Sequence, residues 1–177
     1  MVRRHTLVVS VVLFAFSLLW VSGCRRGVVK EEVITGEETQ RAVEREGIVE
    51  DELEAARRKV EELRKKPGLK LSTVYFSLDD FSLSEMAKEN LMENAAWMLN
   101  NPQKRIMIEG HCCELGTNEY NLALGQRRAD SAKRYLLSLG VGSGQLSTIS
   151  YGEERPADRG RYEEAYKKNR RAEFVEQ

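Results

Sequence analysis

The chain has 177 residues, and its 28 lysine and arginine side chains balance 28 aspartate and glutamate side chains. This length predicts one globular domain with tails. The composition, 41% hydrophobic and 32% charged, excludes a collagen, a wholly disordered chain and a polytopic membrane protein. Because the net charge is zero, nucleic-acid binding through a general basic surface is not predicted. Three cysteines are too few for a disulfide scaffold.

The first 23 residues have the pattern of an export signal. Arg3 and Arg4 precede an apolar run over residues 7–21, which is shorter than the roughly 20 apolar residues of a spanning helix and suits a secretory signal. The run ends in Val21-Ser22-Gly23-Cys24, which resembles a bacterial lipobox. We therefore predict a signal peptide over residues 1–23 and lipidation of Cys24. The alternative is an uncleaved anchor, and either one tethers the exported chain to a membrane.

Residues 24–66 are predicted to form a charged, partly helical linker. Residues 25–66 contain 11 basic and 12 acidic side chains and no aromatic residue, so this segment cannot bury enough apolar surface to fold alone. Its second half carries an apolar stripe at spacings of 4, 3, 4 and 3, typical of a helix; the stripe comprises Val49, Leu53, Ala56, Val60 and Leu63. We expect a solvated helical spacer that ends at Lys66-Pro67-Gly68, with a weak self-association helix as the alternative.

Residues 67–177 are predicted to form one compact domain. Hydrophobic periodicity and turn residues predict a strand over 71–78, a helix from the Ser82 capping box to about 100, a strand over 105–109, a helix over 118–139, a strand over 146–151, a short helix over 162–168 and a strand over 172–175. This βαβαβ(α)β order places the domain in the α/β class, of α+β type. Its helices are expected to pack on a mixed, four-stranded sheet.

Several motifs in this domain resemble those of one family. The most specific run is IEGHCCELGT at residues 108–117, followed by YNLALGQRRA at residues 120–129. The other matching segments are Val74–Asp79, Ser150–Glu153 with Pro156, and Asn169–Glu173. Together they are similar to the OmpA-like peptidoglycan-binding domain, and in detail to that of the peptidoglycan-associated lipoproteins of Tol–Pal systems. The resemblance covers residues 72–176.

The resemblance implies recognition of a peptidoglycan stem peptide of the diaminopimelate type, whose free end carries an ammonium and a carboxylate. A carboxylate is best held by the planar fork of an arginine, and the family's arginine corresponds to Arg128. The family's ammonium-binding aspartate corresponds to Cys113, and a neutral thiol is a poor ammonium partner. Glu114 or Asp79, which the family fold places nearby, could take over the ammonium, and the sequence leaves this choice open.

The same resemblance implies a role in the cell envelope. It describes a lipoprotein that binds peptidoglycan non-covalently and tethers the outer membrane to the cell wall, with Tol-system proteins as possible partners in envelope integrity and cell division. Lipoproteins retained in the inner membrane carry an aspartate after the lipidated cysteine, whereas this chain has Arg25, so the outer membrane is expected, with the domain facing the periplasm. The alternative is a lipoprotein that has lost stem-peptide binding and serves as a protein-docking partner.

Neither an enzyme nor a metal or cofactor site is predicted. The sequence lacks a nucleophile motif and a phosphate loop, and a hydrolytic pairing of Asp79 with Glu114 is explained better by the family match. A zinc site at His111-Cys112-Cys113 is disfavoured because zinc usually takes four ligands from two separated pairs, and the other histidine, His5, lies in the signal. We interpret Cys112 as a packing residue.

Four further residues are interpreted as structural. Asn121 is expected to brace loops, and Arg170 and Arg171 to join ion pairs at the sheet edge. Arg127, next to the predicted ligand-binding arginine, is expected to be structural or exposed. Asp79 has a second interpretation as a cap of the loop that follows the first strand.

Overall fold

The computed structural model describes residues 36–177, with side chains from residue 49 onwards. The predicted signal peptide and the lipidation site at Cys24 lie outside these residues. Among the helices of residues 36–177, none combines the length and the apolar character needed to cross a bilayer.

The described residues form a mixed four-stranded sheet with helices packed on it, which confirms the predicted α+β fold. The elements are α1 (Gly36–Leu63), β1 (Val74–Tyr75), α2 (Glu85–Asn100), β2 (Ile106–His111), α3 (Asn118–Ser138), a 3₁₀ turn (Ser143–Gln145), β3 (Leu146–Gly152), α4 (Glu163–Asn169) and β4 (Arg171–Glu176). The strand order is β1-β4-β2-β3. Strand β4 runs antiparallel to β1 and β2, and β2 runs parallel to β3.

The core lies between the sheet and the helices. Its fully buried side chains include Leu91 and Met98 of α2, Ile106 and Ile108 of β2, and Leu136 of α3. The helical residues recur at the 3.6-residue period that predicted the inner faces of α2 and α3. Each such side chain contributes about 1.5–3 kcal/mol by leaving water, so this layer fixes the helices on the sheet.

Helix α1 differs from the expected solvated spacer because its last turns pack in the core. Val60 is 1% exposed and Leu63 is also buried, and both belong to the core cluster. Arg57 Nε donates a hydrogen bond to the Ser138 carbonyl at 2.8 Å, which satisfies one of the unpaired carbonyls at the end of α3. Val49, in the same stripe, is 61% exposed. These contacts do not test the boundary between linker and domain at residues 66 and 67, which remains a prediction.

Strand β1 is shorter than predicted because the backbone before it hydrogen-bonds to a side chain of α2 and not to another strand. The backbone N–H of Ser72 donates to Asn94 Oδ1 at 2.7 Å, and Asn94 Nδ2 donates to the Ser72 carbonyl at 2.8 Å. Asn94 is fully buried. A buried backbone needs all of its polar groups paired, and here α2 meets that need outside the sheet.

The N-cap of α2 also differs from the predicted Ser82. The Ser84 hydroxyl accepts from the Ala87 N–H at 3.2 Å and caps the helix. Ser82 instead donates its backbone N–H to Asp80 Oδ1 at 2.7 Å. The loop after β1 is therefore closed by its own aspartate–serine turn, and the helix begins two residues later than the predicted cap implied.

Two glycines bring α3 against the end of β2. A Cβ atom built on Gly110 would lie 1.9 Å from the Gly125 carbonyl oxygen, and one built on Gly125 would lie 2.3 Å from Ser150 Oγ. Only glycine fits such a close approach of two backbones. As a result, the turn of α3 that follows Gly125 passes directly beneath the end of the sheet.

Candidate functional site

Three loops leave the same end of the sheet. Because β1 and β2 are both antiparallel to β4, and β3 is parallel to β2, the carboxyl ends of β1, β2 and β3 share one edge. The loop after β1 contains Ser77–Asp80, the loop after β2 contains Cys112–Gly116, and the loop after β3 contains Glu153–Gly160. The four predicted binding residues, Asp79, Cys113, Glu114 and Arg128, all lie at this edge.

Hydrogen bonds from the Arg128 side chain connect the loop after β1 to the end of β2. It is 1% exposed. Its Nε donates to the Asp80 carbonyl at 2.8 Å, Nη2 donates to the Ser77 carbonyl at 3.0 Å, and Nη1 donates to the His111 carbonyl at 2.9 Å. Nη1 also contacts Cys112 Sγ at 3.4 Å. Four of the five N–H donors that a guanidinium carries are therefore engaged within the protein.

Arg128 forms no ion pair in the part of the chain that the structure describes, although the charge of Asp80 acts on it from nearby. The ion pairs there join other residues, and the groups that Arg128 contacts are carbonyls and a thiol. Burial lowers the pKa of Arg128, but a guanidinium stays protonated in proteins. Buried charges are usually paired, so this one leaves a positive field at the site. The expected bidentate fork is not free, because one N–H at most remains.

The loop after β2 is braced by Asn121. This buried side chain donates from Nδ2 to the carbonyls of Cys113 and Leu115, both at 3.2 Å, and to Glu153 Oε2 at 2.6 Å. These bonds agree with the bracing role expected for Asn121. Cys113 is 4% exposed, so this predicted binding residue lies inside the protein rather than on the loop surface.

Both cysteines at the end of β2 are free and buried. Cys112 donates its thiol hydrogen to the Asn121 carbonyl at 3.3 Å. Burial raises the pKa of Cys112 to about 11, so the thiol stays protonated at neutral pH. This environment suits the packing role expected for Cys112, because a reactive cysteine needs a thiolate.

Asp79 and Glu114, the two acids predicted as alternative partners for the ammonium, have different surroundings. Glu114 Oε1 accepts from the Tyr166 hydroxyl at 3.2 Å and lies 3.2 Å from Arg161 Nε, so a cation already neutralises it in part. Asp79 accepts a hydrogen bond from the Tyr120 hydroxyl, a neutral partner. Asp79 also has a backbone φ of 54°, a left-handed conformation uncommon outside glycine that clusters at functional sites.

Cavities flank both loops. One of about 220 Å³ lies between the loops after β2 and β3, with Glu114, Glu153 and Tyr166 in its wall. Another of about 400 Å³ lies beside the first loop, with Ser77 and Asp80 in its wall. Sequence reasoning did not single out Tyr120 or Tyr166, since the contacts of their hydroxyls depend on how the loops pack. It correctly expected that Arg170 and Arg171 form ion pairs, which they make with Glu163 and Glu173.

Comparison with known proteins identifies relatives of this domain. The family model that matches is that of the OmpA family, over residues 75–170. A peptidoglycan-associated lipoprotein from Pasteurella multocida is 50% identical over 101 residues, which make up 57% of this chain and 67% of that protein. One from Haemophilus influenzae is 48% identical over 101 residues, 57% of this chain and 66% of that protein. The chain thus spans about two thirds of the length of these relatives.

A solved structure has the same architecture. The crystal structure of the peptidoglycan-associated lipoprotein from Burkholderia pseudomallei superposes with a TM-score of 0.58 and is 42% identical, covering 59% of this chain and 89% of that chain. The names of these proteins describe lipoproteins associated with peptidoglycan and not enzymes. The relatives therefore agree with the prediction that the chain is not an enzyme.

Proposed function

This chain belongs to the OmpA family, and from that premise we propose that it is an envelope lipoprotein that binds peptidoglycan non-covalently and tethers the outer membrane to the cell wall. Relatives that carry the name peptidoglycan-associated lipoprotein support the proposal. The observation that carries it is the buried guanidinium of Arg128, which forms no ion pair among residues 49–177 and lies where the loops after β1 and β2 meet. A site with such a charge favours an anionic ligand.

The ligand we propose is the free end of a diaminopimelate-type stem peptide, with its carboxylate on the Arg128 side. Arg128 acts mainly through its charge, since most of its N–H donors hold protein carbonyls. These bonds also keep the carbonyls of Ser77 and Asp80 in place before the ligand arrives. A pre-organised site loses less free energy in ordering on binding, so Arg128 both attracts the carboxylate and positions the loop.

The ammonium of the same ligand end is assigned to Asp79 rather than to Glu114. The Asp79 carboxylate accepts from a neutral phenol, whereas Glu114 already lies 3.2 Å from the Arg161 guanidinium. An ammonium must displace that guanidinium to gain the full charge of Glu114, but it meets the charge of Asp79 directly. Cys113, which replaces the family's aspartate, contributes no charge to this interaction.

Membrane attachment completes the proposal. Lipidation of Cys24 would hold the domain at the outer membrane, facing the periplasm, where it can reach the cell wall and Tol-system proteins in envelope integrity and cell division. Several acyl chains give stable anchoring, since each buried methylene contributes about 0.8 kcal/mol. Mass spectrometry of membrane-extracted protein should find an acylated N-terminal Cys24. Recovery of an intact Met1 peptide from the mature protein would contradict this part.

Sedimentation with purified sacculi tests peptidoglycan binding. The full chain in detergent should co-sediment, and Arg128→Met, which removes the charge but keeps a long side chain, should lose most of the bound fraction. Arg128→Lys, which restores the charge, should recover part of it. Arg134→Ala removes an exposed arginine further along α3 and serves as the matched control. Equal co-sedimentation of the parent and Arg128→Met, both with native circular dichroism, would contradict the role of Arg128.

A second candidate function follows from Cys113. Because a neutral, buried thiol stands at the family's ammonium-binding position, the chain could keep the fold and serve as a docking partner for another envelope protein without binding stem peptide. The same sedimentation experiment distinguishes the two. A parent protein that stays in the supernatant at every sacculus concentration would favour docking.

A further inference from the structure

A cluster of possible metal ligands lies on the face of the sheet opposite the core. Glu109 of β2 and Glu173 of β4 are paired directly across the two strands. His111 follows two residues after Glu109, and a strand places alternate residues on one face. One donor atom from each of the three side chains lies within 4.8 Å of the others. Strand pairing thus brings together an imidazole and two carboxylates from distant parts of the chain.

The His111 ring lacks the partners that a buried polar side chain normally has. The residue is 1% exposed, and neither ring nitrogen has a hydrogen-bond partner among the described residues. Most buried polar groups in proteins are paired. The ring stacks on Tyr151, with centroids 5.7 Å apart, and its Nε2 lies 3.6 Å from Glu109 Oε2. This separation is too long for a good hydrogen bond but suits two ligands of one ion.

The two carboxylates are also incompletely balanced. Like charges directly opposite each other on neighbouring strands are destabilising. Arg171 Nε lies 2.6 Å from Glu173 Oε1, which leaves the second oxygen of Glu173 free of this ion pair. The Glu109 carboxylate makes no hydrogen bond within residues 49–177 and lies near both His111 and Glu173. A cation between the three side chains would relieve the repulsion.

We propose that Glu109, His111 and Glu173 form a binding site for a divalent transition-metal ion, with Zn²⁺ as the best match. Imidazole nitrogen and carboxylate oxygen are both zinc ligands, at distances of about 2.0–2.2 Å. Ca²⁺ and Mg²⁺ prefer sites made wholly of oxygen. Three protein ligands leave one position of a tetrahedral ion to water. The site is independent of the proposed peptidoglycan binding.

The surroundings hold one of the proposed ligands in place and also limit the affinity. A ligating carboxylate is commonly held by a further hydrogen bond, and Arg171 provides one to Glu173. A neutral imidazole offers one ring nitrogen as a lone-pair donor to a metal ion. The charges of Arg171 and Arg155 both act on the His111 ring. The same two guanidinium groups oppose the charge of an arriving ion, so binding is weaker than at a site without them.

Calorimetric titration of the full chain in detergent with ZnCl₂ tests the proposal. The parent should bind one Zn²⁺ at this site, and His111→Phe and Glu109→Gln should each weaken binding roughly 10-fold or more. Glu176→Gln changes an acid at the far end of β4 that pairs with Lys104, and it should bind as the parent does. All variants keep the three cysteines, so zinc bound by thiols would be seen in each of them.

X-ray absorption on the zinc-loaded protein gives a second measurement that does not depend on the variants folding. Nitrogen and oxygen ligands at about 2.0–2.2 Å are expected, without sulfur at about 2.3 Å. Equal zinc binding by the parent, His111→Phe and Glu109→Gln would overturn the proposal. So would a sulfur shell, or the absence of zinc binding by the parent.

Discussion

The loops after β1 and β2 end at the same edge of the sheet but are held in different ways. The first is fixed by Arg128, whose buried guanidinium donates to the carbonyls of Ser77 and Asp80 at 3.0 and 2.8 Å. The second is braced at its base by Asn121, and its acid, Glu114, is held by exposed partners. Exposed ion pairs contribute about 0–1 kcal/mol, whereas buried bonds to a charged group contribute more.

The positive and the negative charges of the site therefore lie in different surroundings. The positive charge belongs to the core, so a substitution of Arg128 lowers stability as well as binding. The negative charge lies on the surface of the loops, on Asp79 and Glu114, where a substitution changes recognition at little cost in stability. Cys113 is the intermediate case, since it is buried but neutral. Substitutions on each side should therefore differ in size and kind.

The largest effect is expected for Arg128→Ala. Three backbone carbonyls lose their donor; the bond to His111 is buried, and those to Ser77 and Asp80 are partly buried. An unsatisfied buried group costs about 1–3 kcal/mol, so the free energy of unfolding should fall by roughly 2–3 kcal/mol. The resemblance gives Arg128 a ligand-binding role, and its burial adds a structural one. Urea unfolding followed by circular dichroism measures it, with Arg134→Ala as control. Equal stability of the two variants would contradict the rigid role of Arg128.

The reactivity of the Cys112 thiol measures how tightly the base of the loop after β2 is packed. Its pKa of about 11, against an ordinary 9.0, reduces the thiolate about 100-fold, and its burial blocks access. In a chain with Cys24→Ser and Cys113→Ser, alkylation at pH 8 should be roughly 100-fold slower in the native state than in urea. Similar rates in both states would mean that the loop is open down to β2.

Cys113→Asp should strengthen binding of a diaminopimelate-type stem peptide. A carboxylate within ~4 Å of an ammonium contributes ~1 kcal/mol in water and more when shielded, so the dissociation constant should fall about tenfold. Calorimetry with a purified stem peptide measures this. Cys113→Asn, polar but uncharged, is the matched control. If the aspartate and asparagine variants bind alike, a charge at this position does not matter.

The smallest effects distinguish Asp79 from Glu114. Asp79→Asn keeps a residue that tolerates the left-handed backbone and removes the charge, so stem-peptide binding should weaken by up to ~1 kcal/mol, the range of exposed ion pairs. Glu114→Gln should weaken it less, because Arg161 already neutralises that carboxylate in part. The same titrations measure both variants. A larger loss for Glu114→Gln would reverse the assignment of the ammonium.

Much of the fold could be predicted from the sequence because local signals agreed with the packing. Periodicity placed α2, α3 and β3 within a residue or two. The length of β1 could not be read, because the bonds of Ser72 go to Asn94, far along the chain. The burial of Val60 could not be predicted either, since an apolar stripe of two heptads predicts a helix but not the surface on which it packs.

The candidate site was located by its motif, but its geometry was not. One available signal was the four-residue spacing of Leu124, Arg128, Ala132 and Leu136, which places the arginine on the buried stripe of α3. The pairing of Glu109 with Glu173 had no such signal, because antiparallel contact between β2 and β4 is a long-range choice. Sequence spacing around His111 therefore could not indicate the cluster of possible ligands.

If the buried charge of Arg128 attracts the carboxylate of a stem peptide, as we propose, affinity must depend on the charge of that carboxylate. Calorimetric titration of the unmodified full chain with two purified diaminopimelate stem peptides, one with the free carboxylate and one with that carboxylate amidated, tests it without altering the protein. We expect the free acid to bind and amidation to weaken binding about tenfold or more, because a charged partner is lost. Equal affinity for the two peptides would contradict it.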